Sequence, residues 1–159
     1  MISPRRLNHA VLFVADVDRS VRFYTETFAM EVVTSEPGRA AFLRLPKSGN
    51  HHDLGLFGVG GAGGPRVRGT VGLYHLAWQV DTVDELVDAR RTLHDAGAYV
   101  GESSHGATKS IYGADPDGNE FEIMWMLPRE QWGDFEHTAT VEPLDLESEI
   151  ARWSGVPTR

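Results

Sequence analysis

A chain of 159 residues with 41% hydrophobic side chains has the length and apolar content for one compact core, so a single domain is expected. Acidic side chains outnumber basic ones by 23 to 15, and the formal charge of -8 argues against a sequence-independent hold on nucleic-acid phosphates. The lack of cysteine excludes disulfides, zinc-thiolate and iron-sulfur centres and thiol nucleophiles together, so a bound metal must sit on His, Asp or Glu.

In chain order, "MISPRRLNHAVLFVADVD" starts basic, but Asp16 and Asp18 interrupt its apolar run, and it reads as a strand rather than a signal segment. No run nears the ~20 apolar residues that span a bilayer, so a cytoplasmic protein with no membrane partner is expected. Strand-like residues from Leu7 give way to helical spacing, with Asp16 where an N-cap is wanted. "VVTSE", "AAFLRLP" and "HDLGLFGV" follow as shorter strands. The glycine-rich "GVGGAGGPRVRG", residues 58–69, suits a flexible connection, and the linker is placed over residues 60–70.

The same order then repeats. A strand starts at Leu73, and Thr82 with Glu85 predicts a capping box opening a helix that ends at "DAG", where Gly97 takes the left-handed position. "AYVGES", "TKSIYGA" and "NEFEIMWM" complete the second set of strands, with "DPDG" as the turn before the last. Beyond Pro128 the pattern lapses except for a short helix in "DLESEIARW". The tail's Trp132, Phe135 and Trp153 are too aromatic for disorder and imply that it covers the module surface or a neighbouring subunit.

"LNHAVLFVADVDRSVRFY" and "LYHLAWQVDTVDELVDAR" align without a gap, matching His9 with His75, Val14 with Val80, Asp18 with Asp84 and Val21 with Val87. The fold class is therefore α+β: two βαβββ modules, about residues 5–59 and 71–127, followed by a tail over 128–159. The modules are expected to form one cup-shaped mixed β-sheet within a single domain, 1–159.

Strand alternation puts Leu7, His9, Val11 and Phe13 on one face and His75, Ala77 and Gln79 on the equivalent face of the copy. In "NEFEIMWM" it puts Glu120, Glu122, Met124 and Met126 opposite Phe121, Ile123 and Trp125. A carboxylate in mid-strand among bulky neighbours is costly without a cation or strong hydrogen bonds, which marks Glu122 as the third ligand beside His9 and His75. Two imidazoles and one carboxylate are the donor set of non-haem Fe(II) oxygenases. Mn(II) is served by the same donors.

On these residues, and on "HHDLGLF" and "SIYGADPDGNEFEIMW", the chain resembles the vicinal oxygen chelate superfamily, and within it the short extradiol catechol dioxygenases. That resemblance implies ring cleavage of a catechol-like diol by dioxygen at an Fe(II) site, in a homodimer. It also implies a catalytic role for His52, the second histidine of the pair, and for Tyr112, ten residues before Glu122. His105, in "SSHGATKSIY", is the candidate for a further histidine that lies near the substrate in many such sites. Alternation groups His52 with Leu54 and Leu56, and its role requires that face to be the open one. The position equivalent to Glu122 in the first module is Leu56, so a fourth protein ligand is absent. Alternative readings are a glyoxalase-type lyase or fosfomycin-type thiol transferase on the same ligands, and a noncatalytic binder of a small molecule of the bleomycin type.

Overall fold

The computed structural model describes residues 1–60, 64, 67, 69–138 and 140–158; most of the linker read over residues 60–70 lies outside them. The chain divides into two compact units, Met1–Val67 and Arg68–Arg159. The first contains β1 (Ala10–Val14), α1 (Val17–Phe28), β2 (Glu31–Glu36), β3 (Ala40–Arg44) and β4 (Leu54–Gly58), with sheet order β1-β4-β3-β2. The second contains β5 (His75–Gln79), α2 (Val83–Asp95), β6 (Tyr99–Ser104), β7 (Thr108–Ala114) and β8 (Glu120–Met126) in the order β5-β8-β7-β6, then α3 (Leu146–Trp153). In each sheet the first and last strands pair parallel and the other pairs are antiparallel. The sequence repeat is thus a repeat of topology, in two mixed four-stranded sheets.

Local signals account for the element ends. Asp16 accepts a hydrogen bond from the Arg19 amide at 2.9 Å and starts α1. Thr82 and Glu85 form the expected reciprocal capping box of α2, and Gly97 follows that helix with φ +65°. α1 ends differently, on Ala29 at φ 52°, a left-handed position taken without glycine. In the "DPDG" turn the buried Asp115 carboxylate accepts from the Asp117 and Asn119 amides at 2.9 and 2.8 Å, and Gly118 supplies the positive φ.

Each sheet buries one face. Leu12, Val14, Leu43, Leu54 and Leu56 join Val17 and Tyr24 of α1 in the core of the first unit; Ile111, Phe121, Ile123 and Trp125 join Val83, Leu86 and Leu93 of α2 in the second. The opposite face of β1 carries the exposed Val11 and Phe13, as alternation predicts. Trp125 and Phe121 are core residues as expected, whereas Trp78 on the edge strand β5 is only half-buried.

The tail covers its own unit. Asp145 caps α3 through the Ser148 amide, and Ser154 and Gly155 donate to Asp84 on α2. Lys109, buried on β7, donates to Ser104 Oγ at 2.9 Å and meets Glu149 of α3 at 3.0 Å. Lys109 therefore points away from the Tyr112 face, as its place beside Ile111 in the alternation predicts.

Gly113 is fixed by close approach. A Cβ there would stand 2.5 Å from Cζ of the buried Phe121 and 3.2 Å from the Ala98 carbonyl. Gly113→Ala is expected to cost about 1–3 kcal/mol through displacement of the Phe121 ring. A urea melt with an unchanged midpoint would contradict this.

Candidate metal and substrate site

In the second unit the site is assembled across three adjacent strands. Glu122 lies on β8, in register with Ala77 of β5 on one side and Tyr112 of β7 on the other. With Phe121, Ile123 and Trp125 buried toward the helices, the period of two turns Glu122 to the opposite face. Its Oε2 lies 3.2 Å from His75 Nε2, and its Oε1 accepts from the Tyr112 hydroxyl at 3.3 Å. His105 continues the chain: its Nε2 is 2.8 Å from the Tyr112 hydroxyl and 2.8 Å from Ser103 Oγ, and its Nδ1 is 2.8 Å from the Thr140 carbonyl. Four predicted site residues, His75, Glu122, Tyr112 and His105, are therefore brought together.

The electrostatics follow from burial. Tyr112 is pushed above the ordinary phenol range chiefly by desolvation, with the Glu122 charge adding and the Ser103 hydrogen bond opposing, so it remains a protonated donor at neutral pH. His75 Nδ1 is buried without a hydrogen-bond partner, leaving Nε2 as the ring's engaged nitrogen. The donor pair fits a divalent ion, because two ligands at about 2.1 Å from one ion and at right angles stand about 3 Å apart. Among the described residues no group of three His, Asp or Glu side chains is gathered for a metal.

The first unit presents His9 and His52 side by side, with ring centroids 4.5 Å apart. The sequence reading of His52 needs correction. Leu54 and Leu56, with which alternation grouped it, are fully buried and face the core, not the open side. β4 begins only at Leu54, so His52 precedes the strand and is not bound by its period. It packs instead against His9 and, edge-on at 5.1 Å, against Phe42. The buried Asp53 carboxylate holds this turn by accepting from the Leu45 amide, Ser48 Oγ and Asn50 Nδ2. Asn50 also donates to the Asn8 carbonyl, and Asn8 Oδ1 lies 3.0 Å from His9 Nδ1, which ties the turn to the predicted ligand. Desolvation first, then the charges of His9 and His51, holds His52 below the ordinary histidine range, favouring its neutral form. His51 is exposed.

Ser103 and the Asn8–Asn50–Asp53 bonds were not anticipated. For Ser103 the only signal was its polar place in the β6 run; its face follows from its pairing with Ser110, which puts it on the Tyr112 side. For the Thr140 carbonyl there was none, because a main-chain acceptor has no side-chain signature.

Residues 6–123 match the profile of the Glyoxalase/Bleomycin resistance protein/Dioxygenase superfamily. The chain belongs to this superfamily. Among curated members, biphenyl-2,3-diol 1,2-dioxygenase 3 of Rhodococcus globerulus is 36% identical over 74% of the chain and 62% of its own length. Catechol-2,3-dioxygenase of Bacillus subtilis is 29% identical over 79% of the chain and 43% of its own length. The chain thus spans less than two thirds of the length of these relatives. A glyoxalase/dioxygenase structure from Nostoc punctiforme superposes with a TM-score of 0.66 at 22% identity, covering 79% of this superfamily member and 96% of that chain. It confirms the glyoxalase-like α+β fold. No helix among the described residues is long and apolar enough to cross a membrane.

Proposed function

We propose that the protein is an Fe(II)-dependent extradiol dioxygenase that opens the ring of a catechol-type diol with dioxygen. The observation that carries this reading is Glu122 standing between His75 Nε2 at 3.2 Å and the Tyr112 hydroxyl at 3.3 Å. A plain ion pair explains the first contact but not the placing of a protonated phenol and a second imidazole on the carboxylate's other side. The similarity to the biphenyl-diol and catechol dioxygenases supports the same chemistry.

In this reading His75 and Glu122 hold the ion, and His9, the repeat partner of His75, is the third donor expected from the sequence. When bound, the ion supplies a Lewis-acidic centre that lowers the pKa of a coordinated hydroxyl. Mn(II) would satisfy the same donors. Tyr112 and His105 orient the diol by hydrogen bonds to its oxygens. His52, whose neutral form is favoured beside His9 and Phe42, is the group proposed to take up and release a proton.

The test is anaerobic loading with Fe(II), then exposure to a panel of catechols in air while oxygen uptake and yellow ring-fission products are followed. His52→Phe is expected to keep the metal and lose about 100-fold or more in kcat. Parent-like turnover in that variant removes His52 from the mechanism. A metal-loaded protein that consumes no oxygen with any catechol overturns the dioxygenase reading itself.

A further inference from the structure

Three consecutive residues at the bend between β6 and β7 each have a partner in the C-terminal tail, beyond the superfamily match at residue 123. Ser104 exchanges both main-chain hydrogen bonds with Glu142, at 2.8 and 2.9 Å. His105 Nδ1 lies 2.8 Å from the Thr140 carbonyl. Gly106 lies under the Phe135 ring, which a Cβ would approach to 2.5 Å. The tail segment is anchored in turn by α3, whose Glu149 pairs with the buried Lys109 that also donates to Ser104 Oγ.

A carbonyl oxygen only accepts, so His105 Nδ1 carries a proton, and in the neutral ring Nε2 is left with its lone pair. That lone pair faces two hydroxyls, Tyr112 and Ser103, each at 2.8 Å. Nε2 is thus the acceptor these hydroxyls share, while the one ring proton is directed at the Thr140 carbonyl.

The geometry points to Phe135, Thr140 and Glu142 as positioning residues that clamp His105 in its Nδ1–H tautomer and so keep its Nε2 an acceptor for the hydroxyls of Tyr112 and Ser103. The clamp lies outside the repeated modules, so the tail is part of the site's machinery as well as a cover for α2. Only the catalytic consequence rests on the dioxygenase reading; the tautomer does not.

The test uses the full chain labelled with 15N-histidine, with long-range 1H–15N correlations at neutral pH reporting which ring nitrogen carries the proton. The His105 signal is assigned by its loss in His105→Gln. The parent is expected to show Nδ1–H. Phe135→Ala and Glu142→Pro, the latter removing the amide that donates to Ser104, are expected to shift His105 toward Nε2–H while far-UV circular dichroism is unchanged. Each is expected to lower kcat about tenfold with bound metal unaltered, as loss of an outer-shell partner does. An Nε2–H signal in the parent overturns the proposal, as does a parent tautomer retained in folded Phe135→Ala. Should Glu142→Pro fail to fold, the Phe135 variant decides. Should no catechol be cleaved, the tautomer still decides the clamp while the dioxygenase reading fails separately.

Discussion

Replacing Glu122 by alanine is expected to abolish metal retention and ring cleavage together. The carboxylate is the sole charged donor in the proposed set, and without it His75 Nε2 and the Tyr112 hydroxyl both lose the acceptor they face. In the parent, Fe(II) at 100 times its dissociation constant should stabilise the fold by about 2.7 kcal/mol, because an ion that binds only the folded state shifts unfolding by mass action. For a chain of this size that is about 5–10 °C in Tm. Glu122→Ala should show no such shift, with metal analysis near zero and oxygen uptake at background. Glu122→Gln separates charge from shape: its amide oxygen can still accept from Tyr112, but it offers the ion no negative charge. Parent-like metal stoichiometry in Glu122→Ala would remove this residue from the ligand set, whatever its effect on turnover.

Glu149→Ala is expected to be the most destabilising single change outside the hydrophobic core. Lys109 is only 6% exposed, and its ammonium has Glu149 and Ser104 Oγ as partners. Removing the carboxylate leaves a buried cation with one hydroxyl, which costs about 3 kcal/mol, a large part of the stability of a protein this size. The double variant Lys109→Met with Glu149→Leu should recover most of the loss, since well-packed apolar groups often match a buried ion pair. Chemical denaturation of the two variants measures the difference. If Glu149→Ala melts within 0.5 kcal/mol of the parent, solvent has reached Lys109 and the pair contributes little.

Much of this was legible in the sequence where local chemistry and period agree. The gap-free match of His9 with His75 carried the duplicated topology, and Asp16, Thr82 and Gly97 marked helix ends through bonds made within a few residues. Glu122 could be placed because it lies within the seven regular residues of β8. His52 could not be placed the same way. Two positions outside β4, it follows a turn set by Asp53, Ser48 and Asn50, and alternation holds only where a ladder enforces it. The Thr140 partner of His105 was hidden for a different reason: the contact depends on tertiary docking of the tail, and it is made by a carbonyl that any residue supplies.

The parallel seam in each sheet also has a kinetic meaning. β1 meets β4, and β5 meets β8, only after the intervening chain has looped back, joining Ala10 with Leu54 and His75 with Glu120. The antiparallel neighbours close over much shorter stretches and so assemble earlier. His75 and Glu122 straddle the second seam, and an ion gripped there fastens the contact made last. Its mark would be slower escape from the native state at a nearly constant refolding rate.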